Sequence, residues 1–327
     1  MAQGYQLSQA LYVAAELGVA DALAAGPLDA HALAGAVGAR ADELARVVRA
    51  LVTSGVFTET DDGAFALNDA AACLRRDAPG DTRAIVVDFG TEMYHAFGEL
   101  LHTVRTGQPG FEALYGQPLF DHYTAHPDAE ARGSARMRAR SLLVAQDLAA
   151  APLFDEAGIV VDVGGGIGTV LTAVLQAHPA LSGVLYERTP VARLAGPYLA
   201  EHGLDDRCRI VEGDFFAQVP DGGDVYLLKS VLHDWDDDRC RTVLARCRAA
   251  MSPHARLVIV EIVLPDHTTD DPDLVPGALL DLIMLVYAGG RERTRSEFAG
   301  LLDATGFRLH GTTPLPSGPH LIEAHAR

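Results

Sequence analysis

The sequence predicts an α/β protein: a mostly parallel sheet with helices on both faces, behind an N-terminal all-helical, winged-helix-like region. Three observations carry this. The β-branched run Ile159-Val160-Val161-Asp162-Val163 stops abruptly at Gly164-Gly165-Gly166-Ile167-Gly168, and a helix-compatible segment follows over 170–177. From residue 158 to the end, apolar strand-like runs alternate with helix-like segments, as in a βαβ chain. The first 75 residues read as three helices and a hairpin.

In chain order, Leu7, Leu11, Ala14, Ala15 and Gly18 recur at helical spacing and predict a helix over 5–25, closed by Gly26-Pro27. Shorter helices are expected over 30–37 and 42–54. Asp61-Asp62-Gly63, between 55–60 and 64–67, is a hairpin signal. This winged helix-turn-helix pattern is one that DNA-binding regulators use. Here, however, 42–60 carries only Arg46 and Arg49 as positive charges, and the wing tip is acidic. An acidic wing repels phosphates, so a packing or dimerisation module fits better. A second helical region spans about 80–150. Its large apolar residues, among them Met93, Phe111, Tyr123 and Met137, are mostly core, with a subset available to line an apolar pocket. The expected boundaries are 1–75, 76–150 and 151–327, the last a Rossmann-like unit.

At 327 residues, with 49% hydrophobic and 21% charged, the chain reads as globular rather than disordered. Its formal charge of −18 opposes nucleic acid or an anionic membrane surface as partner. Cys73, Cys208, Cys240 and Cys247 show neither C-x-x-C pairing nor zinc spacing and read as reduced thiols. No basic stretch precedes an apolar one at the N-terminus, and the apolar run 278–286 is too short to span a bilayer and contains Asp281. A cytoplasmic location is expected.

The glycine loop alone does not name its ligand. A dinucleotide fingerprint needs a glycine at 169, where Thr169 stands; Gly164, Gly166 and Gly168 instead suit a ligand without a pyrophosphate, such as S-adenosylmethionine. The next run, 183–186, ends at Glu187, where an acid can accept from ribose hydroxyls. A third run, 208–211, leads to Gly213-Asp214-Phe215-Phe216; Asp214 offers an acceptor to an adenine amino group and Phe215 a face to its ring. A fourth, 224–228, runs into Lys229-Ser230-Val231-Leu232-His233-Asp234-Trp235, and Lys229 is the only lysine in the chain. All these polar residues fall at carboxyl ends of strands, where open α/β sheets bind ligands.

Together with Gly289-Gly290-Arg291-Glu292-Arg293-Thr294, these motifs resemble one group: the class I S-adenosylmethionine-dependent O-methyltransferases of the caffeic acid and hydroxyindole type, bacterial natural-product members included. The resemblance covers nearly the whole chain, because the N-terminal region resembles that family's dimerisation domain. It implies a homodimer that methylates a hydroxyl of a small phenolic or quinone-related secondary-metabolite intermediate, with S-adenosylmethionine as cofactor and no metal. His233 would be the general base, flanked by Glu261 and Glu292. Gly164, Glu187, Asp214, Phe215, Lys229 and Ser230 would contact the cofactor. Met137, Ser141, Trp235 and Met284 would border the substrate pocket. One departure stands out: where the family usually has Asp-Leu-Pro, this chain has Glu187-Arg188-Thr189-Pro190, an acid one methylene longer.

The same residues admit competing readings. The same base serves transfer to nitrogen or to a ring carbon, and a relative that keeps the cofactor without methylating is a further alternative. Asp234, Asp236, Asp237 and Asp238 fit a solvated helix start. Trp235 fits core as well as pocket wall, and Arg291 or Arg293 offers Glu292 an ion-pair partner in place of the imidazole.

Overall fold

The computed structural model describes residues 2–327. The chain forms two compact units: the first runs to His95 and adds Ala131–Arg140, and the second comprises Ala96–Glu130 and Ser141–Arg327.

In the first unit, helix Gly4–Leu17 ends at Gly18, which takes a left-handed conformation with φ 72°. Its N–H bonds back to the carbonyls of Ala14 and Ala15, and Val19–Ala22 then form a separate turn of helix. The single helix expected over 5–25 is therefore two, because Gly18 caps the first instead of continuing its apolar stripe. Helix Ala30–Val37 starts at Asp29, whose carboxylate accepts from the N–H groups of His31 and Ala32. Helix Ala41–Val52 buries Leu44, Ala45, Val48 and Leu51 on one face. Thr58–Glu59 and Phe65–Ala66 pair antiparallel around the acidic turn, giving the expected wing. Leu33, Val48, Leu51, Phe57 and Phe65 close this unit's core.

The second unit is built on a seven-stranded sheet: β1 Ile159–Val163, β2 Ser182–Glu187, β3 Cys208–Glu212, β4 Val225–Lys229, β5 Arg256–Glu261, β6 Phe307–Pro314 and β7 His320–Ala326. The spatial order is β6-β7-β5-β4-β1-β2-β3. Strands β1 to β5 are parallel, and β7 runs antiparallel between β5 and β6. The strand–helix alternation expected to the C-terminus thus ends in a hairpin. The connection 315–319 is too short for the crossover that a parallel pair needs. Val161, Tyr226, Leu257 and Ile259 pack with helices Asp237–Ala250 and Arg295–Ala304, whereas Val160, Leu185, Leu227 and Val258 pack with Thr169–Ala177 and Thr189–Glu201. Both faces are covered, which is why these strands read as continuous apolar runs. Strand order reverses between β1 and β4, so their carboxyl ends flank the crevice where such sheets take ligands. Cys208, Cys240 and Cys247 are buried free thiols, each pushed up to about 12 by burial. Among the described residues no helix is long and apolar enough to cross a membrane.

Candidate active site

The loop after β1 folds tightly because its glycines take conformations that side chains resist. Gly164, Gly166 and Gly168 have φ of 72°, 62° and 86°. At Gly165 the constraint is space: a Cβ there would collide with the Asp162 carboxylate and with Leu185. Gly168 then starts helix Thr169–Ala177, aiming its first N–H groups toward the crevice end of the sheet. Glu187, closing β2, reaches back into this loop. Its Oε2 accepts from the Gly166 N–H at 3.0 Å and its Oε1 from the Arg188 N–H at 2.8 Å. Burial raises the Glu187 carboxyl, and those two N–H groups oppose the rise.

Asp214 lies exposed after β3 and accepts from the Phe216 N–H at 2.8 Å, a turn that presents Phe215. Gly213 is forced, since a Cβ would strike the Tyr186 ring. Lys229 at the end of β4 donates to Ser141 Oγ at 3.0 Å. One member of this neighbourhood was not among the expected site residues: Asp162, in β1, is only 1% exposed, and neither of its carboxylate oxygens has a hydrogen-bond donor. Burial lifts its carboxyl to about 7, against the pull of Lys229 and with the like charge of Glu187 adding to the rise. Its signal in the sequence was an acid inside an apolar strand next to the glycines.

His233 is placed by three converging elements. Ser230 takes a left-handed conformation, φ 53°, and turns the chain out of β4 into a short 3₁₀ turn, Leu232–Asp234. From the neighbouring β5, Glu261 caps that turn: its Oε1 accepts from the N–H groups of Val231 and Leu232, both at 2.9 Å, and of His233 at 3.4 Å. Its Oε2 lies 3.4 Å from His233 Nδ1. The third element follows helix Val275–Tyr287, whose Met284 carbonyl accepts from the N–H groups of Ala288, Gly289 and Gly290. Any side chain at Gly290 would collide with the His233 carbonyl, so the segment passes flush against the turn and the Arg291 N–H bonds to that carbonyl at 2.9 Å. Glu292 is thereby delivered to the imidazole, Oε1 to Nδ1 at 2.7 Å, with its own N–H held by Asp281 Oδ1 at 2.8 Å.

Neither flanking arginine competes for Glu292. Arg291 pairs with Glu297, and buried Arg293 bonds the carbonyls of Leu232 and Trp235 and the Asp237 carboxylate. Asp236 caps helix Asp237–Ala250 through the Arg239 N–H, as expected of a helix start. Burial alone would depress His233, but Glu261 and Glu292 at Nδ1 outweigh it, helped by Asp234, which sits in the 3₁₀ turn rather than at the helix start and lies 3.7 Å from Nε2; together they lift the imidazole to about 9. Burial raises Glu261, with His233 opposing. The Glu292 contact holds a proton on Nδ1 and leaves Nε2 to exchange one. These three residues also bring metal-type donor atoms within 4.8 Å of one another, yet Glu261 Oε1 is spent on backbone N–H groups and Nδ1 on Glu292.

Of the residues expected to border a substrate, Ser141, Trp235 and Met284 lie in the second unit and Met137 in the first. Trp235 stacks on Phe120 at 5.2 Å and meets Phe216 edge-on at 4.9 Å; its Nε1 is buried without an acceptor. Met284 is buried in the helix that feeds Glu292. Met137 Sδ accepts from Arg136 at 3.3 Å. Sequence reasoning missed Asp281 and Arg293 as well as Asp162; a lone acid in the apolar run 278–286 was the available hint for Asp281.

Comparison with known proteins bears on this geometry. A family model described as the O-methyltransferase domain matches residues 97–308, and one described as the O-methyltransferase dimerisation domain matches 1–77. The chain is 42% identical to the phenazine O-methyltransferase PhzM of Lysobacter antibioticus, over 99% of this chain and 94% of that one. It is also 42% identical to the mitomycin biosynthesis 6-O-methyltransferase of Streptomyces lavendulae, over 97% and 90%. A phenazine-1-carboxylate N-methyltransferase of Pseudomonas aeruginosa is 33% identical over 97% and 93%. The solved structure of LaPhzM aligns with TM-score 0.95 at 41% identity, covering 100% of this chain and 97% of that one. An O-methyltransferase from neocarzinostatin biosynthesis, solved with S-adenosylmethionine and 2-hydroxy-5-methyl naphthoic acid, aligns with TM-score 0.81 at 33% identity over 98% and 96%.

Proposed function

The chain belongs to the O-methyltransferase family and is an S-adenosylmethionine-dependent enzyme, and from that premise we propose that it methylates a hydroxyl of a small aromatic natural-product intermediate, phenolic or quinone-related, with His233 as general base. The observation that carries this reading is the buried imidazole held at Nδ1 by Glu292 at 2.7 Å. A phenol, with a pKa of about 10, is a poor nucleophile at neutral pH, and a positioned imidazole is a suitable acceptor for its proton.

The residues at the strand ends fit the cofactor. The glycine loop offers backbone without side chains, Asp162 an unsatisfied buried carboxylate suited to an ammonium group, and Glu187 a carboxylate for ribose hydroxyls. Asp214 and Phe215 would take the adenine edge and face, with Gly164, Lys229 and Ser230 completing the cradle. When bound, S-adenosylmethionine supplies an electrophilic methyl on a sulfonium, a leaving group that needs no Lewis acid. His233 Nε2 takes the substrate proton as the oxygen becomes nucleophilic, and Glu292 and Glu261 stabilise the imidazolium that forms. Ser141, Trp235 and Met284 would border the acceptor, and the N-terminal unit would join two copies into a homodimer. Positioning of this kind supplies roughly 7–11 kcal/mol in favourable cases.

Transfer to nitrogen is the second reading, favoured by the N-methyltransferase among the relatives. Incubation with labelled cofactor and a panel of hydroxylated and aminated aromatics separates the two: an O-methyl product supports the first, an N-methyl product the second.

A further inference from the structure

The hairpin β6–β7 carries a second cluster of metal-type donors, distinct in sequence and sheet position from the residues above. His310, Glu323 and His325 each offer one donor atom, and those atoms lie within 4.8 Å of one another. The ladder shows how they meet. Alternation along β7 puts Glu323 and His325 on one face, opposite the buried Ala324. Across from them, Leu309 pairs with Ala324 and Gly311 with Glu323, so His310 is the extra residue of a β-bulge. Released from the ladder, its ring rests against His325 at 4.8 Å between centroids. His325 Nε2 and Glu323 Oε1 are 3.2 Å apart, close to the roughly 3.3 Å between donors on a tetrahedral zinc with bonds of about 2.0–2.1 Å. His310 is exposed and the other two are half-buried, so solvent reaches the cluster.

The geometry points to a divalent metal site of the zinc class on this hairpin, ligated by His310, Glu323 and His325. Two imidazoles and one carboxylate are a borderline donor set that suits zinc, cobalt or nickel rather than calcium or magnesium. The chain's net charge of −18 favours a cation, while Arg308, across the ladder from His325, opposes it. The ion bridges two neighbouring strands, so binding clips the hairpin and stabilises the folded state by linkage. It takes no part in methyl transfer.

Tag-free protein titrated with cobalt(II) tests this by the visible absorption of a tetrahedral ion, with zinc(II) calorimetry in parallel. One equivalent is expected to bind, and zinc should raise the melting temperature of the wild type. His310→Ala and His325→Ala should each lose at least the roughly 10–100-fold in affinity that removing even an outer-shell partner costs, and abolish the rise in melting temperature. Methyl transfer by both variants should equal the wild type, which also shows that they fold. Absence of saturable binding overturns the proposal. So does binding that survives both variants, because the ion then sits elsewhere, for instance at the His233 cluster.

Discussion

Two buried acids, one on each side of the crevice, are handled in opposite ways. Asp162 and Glu261 are 1% and 2% exposed, and burial raises both carboxyls. Glu261 is saturated: three backbone N–H groups meet one oxygen and an imidazole faces the other. Asp162 has no donor at all. A buried unsatisfied carboxylate is costly, and a fold keeps one where something outside the chain completes it. The difference separates the proposed base, organised in advance, from the proposed cofactor cradle, which its ligand would finish.

The comparison is broken most sharply at the base. His233→Ala should lower kcat by about 10²–10⁴-fold, the usual worth of general acid–base catalysis, while calorimetry gives near wild-type affinity for S-adenosylmethionine. Loss of binding instead would make His233 structural. On the other side, Asp162→Asn should weaken cofactor affinity by roughly 10–100-fold, as loss of a charge-assisted hydrogen bond does, without lowering the melting temperature of the ligand-free protein. A melting temperature that falls at unchanged affinity would place Asp162 among the structural residues.

The pH profile sharpens the contrast. With His233 lifted from 6.5 to about 9, the ligand-free imidazole keeps its proton at neutral pH, so kcat/KM should rise with pH between 7 and 9 and then level. Glu292→Gln removes one of the charges that raise it and should move the rising limb to lower pH, with a lower plateau. The same shift contributes stability that is complete below about 6.5 and lost as pH rises through about 9. A smaller effect is expected at Glu187, where Ala should cost about tenfold in cofactor affinity, since Glu187 also braces the Gly166 N–H. A chelator should change the methyl-transfer rate least of all.

The proposed cradle could be traced in the sequence because each strand ends in a local signal: glycines after β1, acids at the ends of β2 and β3, a lone lysine at the end of β4. The order of these signals also carried the fold, apart from two places. Gly18 continued an apolar spacing and hid a helix cap, and the last hairpin imitated the earlier alternation because β7 carries the buried apolar Leu321, Ile322 and Ala324, whereas β6 buries only Phe307. What holds the base was harder to read. Glu261, Asp281, Glu292 and Arg293 come from β5, a helix and the segment after it, and no spacing shows that Asp281 holds the Glu292 N–H or that Arg293 ties down the Leu232–Asp234 turn. Likewise, a motif match notes that Asp162 is acidic, but its lack of a donor appears only once its surroundings are packed.

The most direct measurement is to give the enzyme a carbon-13-labelled methyl donor and a hydroxylated aromatic, and to follow the methyl by NMR in wild type and His233→Ala side by side. The account predicts a labelled methoxy carbon with the wild type and a transfer slowed by orders of magnitude in the variant at saturating donor. A methyl attached to carbon or nitrogen, or equal rates from the two proteins, would contradict it.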